Sequence, residues 1–242
     1  MKTVAILQAR MGSTRLPGKV LQDLAGEPML ARVVNRTGRA KTIQEVVIAT
    51  TTNVLDDVIV ELCKARDWFW FRGSEEDVLD RYYQAAKKYQ ADLIVRITSD
   101  CPLIEPEIVD QVVQEFLERQ PKVDYASNTW PQRTFPRGLD TEAMRLDVLE
   151  RAWREDRNPV WREHVTPYIY RNPDRFRIHN VLSQVDYSAK RWTVDTPEDL
   201  AFVRRIYDYF GHDRFSWHEV LKVLEEHPEW VEMNQHVQQK MI

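Results

Sequence analysis

Thr3-Val4-Ala5-Ile6-Leu7 runs directly into Gln8-Ala9-Arg10-Met11-Gly12-Ser13-Thr14-Arg15-Leu16-Pro17-Gly18-Lys19. The first five residues, apolar or β-branched throughout, read as a strand buried on both faces, as in a parallel sheet. The loop after it gathers three cations, Arg10, Arg15 and Lys19, among Gly12, Ser13, Thr14 and Gly18, and no acid appears before Asp23. Open α/β sheets bind ligands at the carboxyl ends of their strands. Small residues let backbone N–H groups approach an anion, and cations offset its charge. The loop reads as a polyphosphate cradle. It is not a Walker A loop, because five residues separate Gly12 from Gly18 and Val20 stands where a hydroxyl should follow Lys19. The glycines do not fit Gly-x-Gly-x-x-Gly either. The plain alternative is a solvated loop carrying a few cations.

Outward from this stretch, short β-branched runs alternate with helical patterns. Strands are expected at Val46–Thr50, Trp68–Phe71 and Leu93–Ile97. Pro28 opens a helix through Met29, Leu30, Val33 and Val34. Asn53 caps another, with Val54, Val58, Ile59 and Leu62 on one face, and Ser74 caps a third, striped by Val78, Leu79, Tyr82, Ala86 and Tyr89. The fold class this predicts is α/β, a mostly parallel twisted sheet flanked by helices with right-handed crossovers. After about residue 120 the pattern changes. Tyr125–Trp130 looks extended, and prolines and Gly138 break up a segment near 131–142 that reads as a protruding arm or substrate lip. Helices are expected at 147–154 and 160–170, strands at 176–180 and 191–194, and Thr196-Pro197-Glu198-Asp199 is a strong helix start. The chain is read as a single domain over 1–242, with an acceptor-binding or dimerisation insert at 125–190 and a helical extension at 212–242.

Composition narrows the class. The 242 residues are enough to bury a full core, and 43% hydrophobic with 30% charged content is that of a globular enzyme or binding protein. No run approaches the ~20 apolar residues of a membrane span, and the N-terminus lacks signal-peptide architecture. Cys63 and Cys101, without CxxC spacing, point to a reducing, cytoplasmic setting and no structural zinc, and Cys101 reads as packing. A net charge of −4 with no basic stripe argues against a nucleic-acid partner.

The chemistry concentrates at strand ends. Asp100 follows the strand Leu93–Ile97, and Asp195 follows Arg191–Val194. Two such carboxylates facing a phosphate loop suit Mg²⁺, which takes one or two carboxylates plus phosphate oxygens and waters. Either aspartate also serves as a helix cap, and for Asp195 the neighbouring Thr196 competes for that task. Arg81 reaches for a ligand or pairs with Asp77 one turn before it. Arg133, Arg137, Asp140 and Glu142 either touch an acceptor or form a solvated or dimer-forming arm.

These residues carry a resemblance. The chain resembles the sugar-activating cytidylyltransferases, the CMP-Kdo and CMP-acylneuraminate synthetases, and within them the spore-coat polysaccharide branch. The matching blocks are 8–19, Arg72–Tyr82, Thr98–Leu103, Tyr125–Asn128, Pro136–Glu142, Arg162–Tyr168 and Arg191–Asp199. The resemblance implies a nucleotide-diphospho-sugar-transferase-like fold, CTP and a sugar acid as substrates, Mg²⁺ and a homodimer. It places Arg10, Gly12, Ser13, Arg15 and Lys19 on the triphosphate, with Lys19 tied most closely to catalysis. Leu7 and Ala9 fall beside the base, Arg72 near base or ribose, and Asp100 and Asp195 on the metal. His164 falls near a histidine that contacts the sugar acid in the Kdo enzymes, with a structural histidine as the other reading, and Arg137, Asp140 and Glu142 keep the two readings given above. The Kdo enzymes read Gln-Gly-Asp-Glu-Pro where this chain has Thr98-Ser99-Asp100-Cys101-Pro102, and their acceptor segment differs from Phe135–Glu142. A nucleotide-sugar glycosyltransferase and a non-catalytic nucleotide-binding subunit are the competing classes.

Overall fold

In the computed structural model, which describes residues 1–239, the first strand, β1 (Thr3–Gln8), sits inside a seven-stranded sheet. Its side chains alternate between faces, and both faces are covered: Ala5 and Leu7 enter one core, Val4 and Ile6 the other. The remaining strands are β2 (Glu45–Thr51), β3 (Phe69–Gly73), β4 (Leu93–Thr98), β5 (Tyr125–Ser127), β6 (Glu142–Arg145) and β7 (Ile178–Asn180). Their spatial order is β3-β2-β1-β4-β6-β5-β7. Only β6 runs against the rest, pairing antiparallel with both β4 and β5.

Helices α1 (Met29–Thr37), α2 (Asp57–Ala65), α3 (Val78–Lys88), α4 (Pro106–Glu118) and α5 (Leu146–Glu155) cover the sheet. Met29, Leu30 and Val33 of α1 and Ile108, Val109 and Val112 of α4 pack on one face, and Val78, Leu79 and Tyr82 of α3 with Val148 and Leu149 of α5 pack on the other. The strand order reverses direction at β1, whose neighbours are β2 on one side and β4 on the other. That reversal opens a crevice beyond the carboxyl ends of β1 and β4, the usual ligand position in such sheets.

Several local expectations are corrected. Residues 160–170 form two short helices, α6 (Pro159–His164) and α7 (Pro167–Tyr170), not one. Val165 between them has φ 72°, and Thr166 precedes a proline, which disfavours helical backbone there. Before α2 a 3₁₀ turn (Val54–Asp56) shifts the phase, so Val54 and Val58 are exposed and Ile59, Val60 and Cys63 are buried. Asp77 caps α3 by accepting from Asp80 N, and Ser74 Oγ accepts from Asp77 N. Residues 191–194 are not a sheet strand. They make one isolated bridge, Arg191 to Arg137, and Val194 N donates to Asp100 O. Nor does 131–142 protrude as an arm. Pro131 and Gln132 are exposed, but Thr134, Phe135, Leu139 and Thr141 are buried, because the apolar residues of the segment fold back against the core. Helix α8 (Pro197–Phe210) begins with a full capping box between Thr196 and Asp199. In the expected 212–242 extension, α9 (Trp217–Glu226) and α10 (Pro228–Val231) form, and residues 240–242 lie outside the described part.

Candidate active site

The crevice at the β1/β4 reversal is a cleft of about 920 Å³. The 9–18 loop forms one wall and is held in shape from below. Met11 N donates to Asp56 Oδ1 at 2.7 Å, and Met11 O accepts from both Ser13 N and Gly18 N at 2.9 Å. Gly18 adopts φ 68°, turning the chain so that Lys19 starts a short 3₁₀ turn pointing inward. Lys19 Nζ then lies 2.7 Å from Val194 O, 3.0 Å from Asp195 Oδ1 and 3.3 Å from Asp100 Oδ2. Residues more than 80 positions apart are thereby joined at one ammonium. Asp195 is fixed in turn by Arg15 and Arg191, each 3.0 Å from Oδ2. Arg191 grips Asp199 through two further hydrogen bonds of 2.8 Å, and Asn234 donates to Arg191 O and to Asp199 Oδ1. The segment after α10 is thus wired into the site.

Electrostatics follow from this crowding. Burial alone would lower the Lys19 ammonium, but Asp100 and Asp195 overcome it and hold its pKa above the ordinary 10.5. Burial would raise the Asp195 carboxyl, and Lys19, Arg15 and Arg191 bring it below the usual range. In the 131–142 segment Arg133 makes a bidentate pair with Asp140, at 2.5 and 2.8 Å. Arg137 is the exception. Its guanidinium makes no hydrogen bond or ion pair among the described residues, and burial together with its neighbours Arg133 and Arg191 lowers its pKa. A half-buried cation without an acceptor is costly, and it leaves five N–H donors for a ligand.

The cytidylyltransferase profile matches residues 4–227. The chain belongs to the cytidylyltransferase family. It is therefore a nucleotidyltransferase. A solved cytidylyltransferase from Leptospira borgpetersenii superposes with a TM-score of 0.93 at 37% identity, covering 99% of this chain and all of that one. The spore coat polysaccharide biosynthesis protein SpsF of Bacillus subtilis is 32% identical over 93% of this chain and 94% of its own. The 3-deoxy-manno-octulosonate cytidylyltransferase of Trichlorobacter lovleyi is 38% identical over 48% of this chain and 46% of its own.

Of the residues expected in the site of this cytidylyltransferase, Ala9, Arg10, Ser13, Arg15, Lys19, Asp100, Asp195, Arg137, Asp140, Glu142 and His164 line the one cleft. Three do not. Leu7 points into the core, Gly12 lies beside Glu75, and Arg72 is committed elsewhere. The Arg72 guanidinium donates to Thr51 O and Asn53 O and pairs with Asp57 at 2.6 Å, a bracket that ties β3 to the turn before α2. Arg81 lines the cleft and donates to Ser74 O. It does not pair with Asp77, whose carboxylate takes Arg162 instead. The loop cations are not unopposed either: Glu75 and Glu163 stand 3.8 and 3.7 Å from Arg10, and Arg15 and Lys19 meet the aspartates. Sequence reading missed Gln8, Arg96, Trp130, Tyr170 and Gln239, which also line the cleft. Arg96 sits mid-strand and its ion pair with Glu142 forms across the β4–β6 register, a pairing with no local signal.

Proposed function

We propose that this enzyme is a Mg²⁺-dependent transferase that couples CTP to a sugar acid, yielding a CMP-sugar and pyrophosphate for surface or spore-coat polysaccharide. The charge layout of the cleft carries the reading. Arg10, Arg15 and Lys19 on the loop after β1 suit a triphosphate, and Arg137, which has no ion pair among the described residues, suits the carboxylate of an acceptor in the same cleft. At about 920 Å³ the cleft lies near the top of the ~300–1,000 Å³ usual for ligand pockets, room for two substrates. The names of the relatives, a 3-deoxy-manno-octulosonate cytidylyltransferase and SpsF, support CTP, a sugar acid and the polysaccharide setting.

An acceptor hydroxyl attacks the α-phosphate and pyrophosphate leaves, so positioning and charge stabilisation supply most of the rate. Lys19 and Arg15 neutralise the departing pyrophosphate. Arg137, braced beside the Arg133–Asp140 pair, orients the acceptor. The donor set fits a magnesium ion: Asp100 and Asp195 each turn one oxygen toward the same ammonium, and no third His, Cys, Asp or Glu joins them among the described residues. Such a pair leaves the remaining positions to phosphate and water, as Mg²⁺ prefers. When bound there, the ion would add charge stabilisation at the phosphates and acidify the acceptor hydroxyl. The test is pyrophosphate release with each of four nucleoside triphosphates against a panel of sugar acids. Release requiring CTP and an acid is expected, and Arg137→Ala should raise KM for the acid about tenfold, in line with a lost charged hydrogen bond, while KM for CTP holds. Equal changes in both KM values would remove Arg137 from the acceptor role.

A further inference from the structure

We infer that Lys19 makes metal binding depend on nucleotide: its ammonium holds the place between Asp100 and Asp195 until a triphosphate draws it away. This rests on the reading that those two aspartates hold the divalent ion. An ammonium has three N–H donors, and all three of Lys19 are spent, on Val194 O at 2.7 Å, Asp195 Oδ1 at 3.0 Å and Asp100 Oδ2 at 3.3 Å. None is left for a phosphate. The same lysine therefore cannot bridge the aspartates and neutralise a pyrophosphate at once.

The oxygens it covers are the ones a metal needs. Arg15 and Arg191 both engage Asp195 Oδ2, so Lys19 takes the oxygen they leave. Among the described residues, the other oxygen of Asp100 meets only the Cys101 thiol, at 3.6 Å. A dication and an ammonium sharing two carboxylate oxygens repel each other. One of them must leave, and the lysine has a flexible four-carbon stem on which to do so. Its backbone stays put, because Lys19 N donates to Leu16 O and Lys19 O accepts from Gln22 N. A triphosphate seated on the 9–18 loop offers the ammonium a new anion and frees the aspartates for the metal in the same movement. Without nucleotide, the carboxylates are already neutralised and a bare divalent ion gains little.

Nucleotide-free titration with Mn²⁺, with the free ion counted by electron paramagnetic resonance, tests this directly. The wild type should show no site tighter than about 1 mM, a weak, substrate-assisted regime for an ion held by only two carboxylates. Lys19→Met, with similar length and no charge, should bind Mn²⁺ at least tenfold tighter without any nucleotide, and adding Asp100→Asn should abolish that gain. Mn²⁺ should raise the Tm of Lys19→Met and leave that of the wild type unchanged. Lys19→Gln serves in the same assays if the methionine variant does not fold. A wild type that binds Mn²⁺ as tightly as Lys19→Met overturns the exclusion and leaves the metal role of the aspartates standing. A folded Lys19→Met that binds no Mn²⁺ overturns both. Neither readout uses CTP turnover, so failure of the transferase reading itself would show separately.

Discussion

At Lys19, Arg15, Asp100 and Asp195 the charges are balanced locally before any substrate arrives. Removing the lysine leaves two carboxylates without their shared cation and strips a preorganised positive charge from the leaving group. Lys19→Ala should lower kcat by roughly 10² or more, the scale of losing one such group, measured as steady-state pyrophosphate release. Near-wild-type turnover would exclude the role. Asp100→Asn should remove the dependence of rate on Mg²⁺ concentration, and an unchanged metal titration would count against its assignment. At this scale the sequence pointed to residues that the fold does bring to one cleft. Clustered cations and a strand-end aspartate are visible in a local window, so Arg10, Arg15, Lys19 and Asp100 could be read directly. Arg72 misled because its partners, Asp57 and the carbonyls of Thr51 and Asn53, come from a neighbouring turn whose position only the fold sets. Gln239 reaches Arg191 from 48 residues away and gave no signal at all.

Elements decide whether those charges meet. Gly138 lies where the 131–142 segment crosses the 191–194 segment, with φ 109°. A Cβ there would stand 2.6 Å from Trp192 C and 2.7 Å from Thr193 N, both backbone atoms. Gly138→Ala should destabilise by about 1–3 kcal/mol, the range for forced backbone strain, read from the urea midpoint, and lower kcat by shifting Asp195. Gly26→Ala is the matched control, because φ is positive there too, at 83°, with nothing within 4 Å of the added carbon, and its loss should be smaller. The β5–β7 pairing is held by Asp124. Hydrogen bonds from Arg177 outweigh burial and bring its carboxyl down from 3.8 to about 2. A depressed carboxyl stabilises above its unfolded value and loses that contribution as pH falls through the folded one. Tm should therefore fall more steeply for the wild type than for Asp124→Asn between 3.8 and about 2, and parallel curves would contradict this. The long, doubly buried strands β1, β2 and β4 were legible because continuous apolar runs have few other readings. The 160–170 break and the 191–194 loop were not, since each depends on tertiary pairing: Val165 adopts an uncommon φ, and Arg191 pairs with a loop residue, not a strand.

Across the whole molecule, one reversal of strand order places the cationic loop after β1, Asp100 after β4 and the 191–195 crossing on a single edge. No helix among the described residues is long and apolar enough to cross a membrane. Strand–helix alternation sufficed to foresee the layered architecture. It left the 131–142 segment open between an arm and a substrate lip; the segment folds inward and walls the cleft, a choice local sequence does not make, because Phe135 packs on Trp217 of the distant α9. The fold thus gathers the cationic loop, Asp100, Asp195 and Arg137 on one cleft, where the proposed nucleotidyl transfer would take place. The most direct measurement is ³¹P NMR of the products formed from CTP, Mg²⁺ and the sugar-acid panel. One phosphodiester resonance for the CMP-sugar is expected to appear in step with one equivalent of pyrophosphate. Inorganic phosphate or free CMP in their place, or no product with any acid while the enzyme still binds CTP, would contradict it.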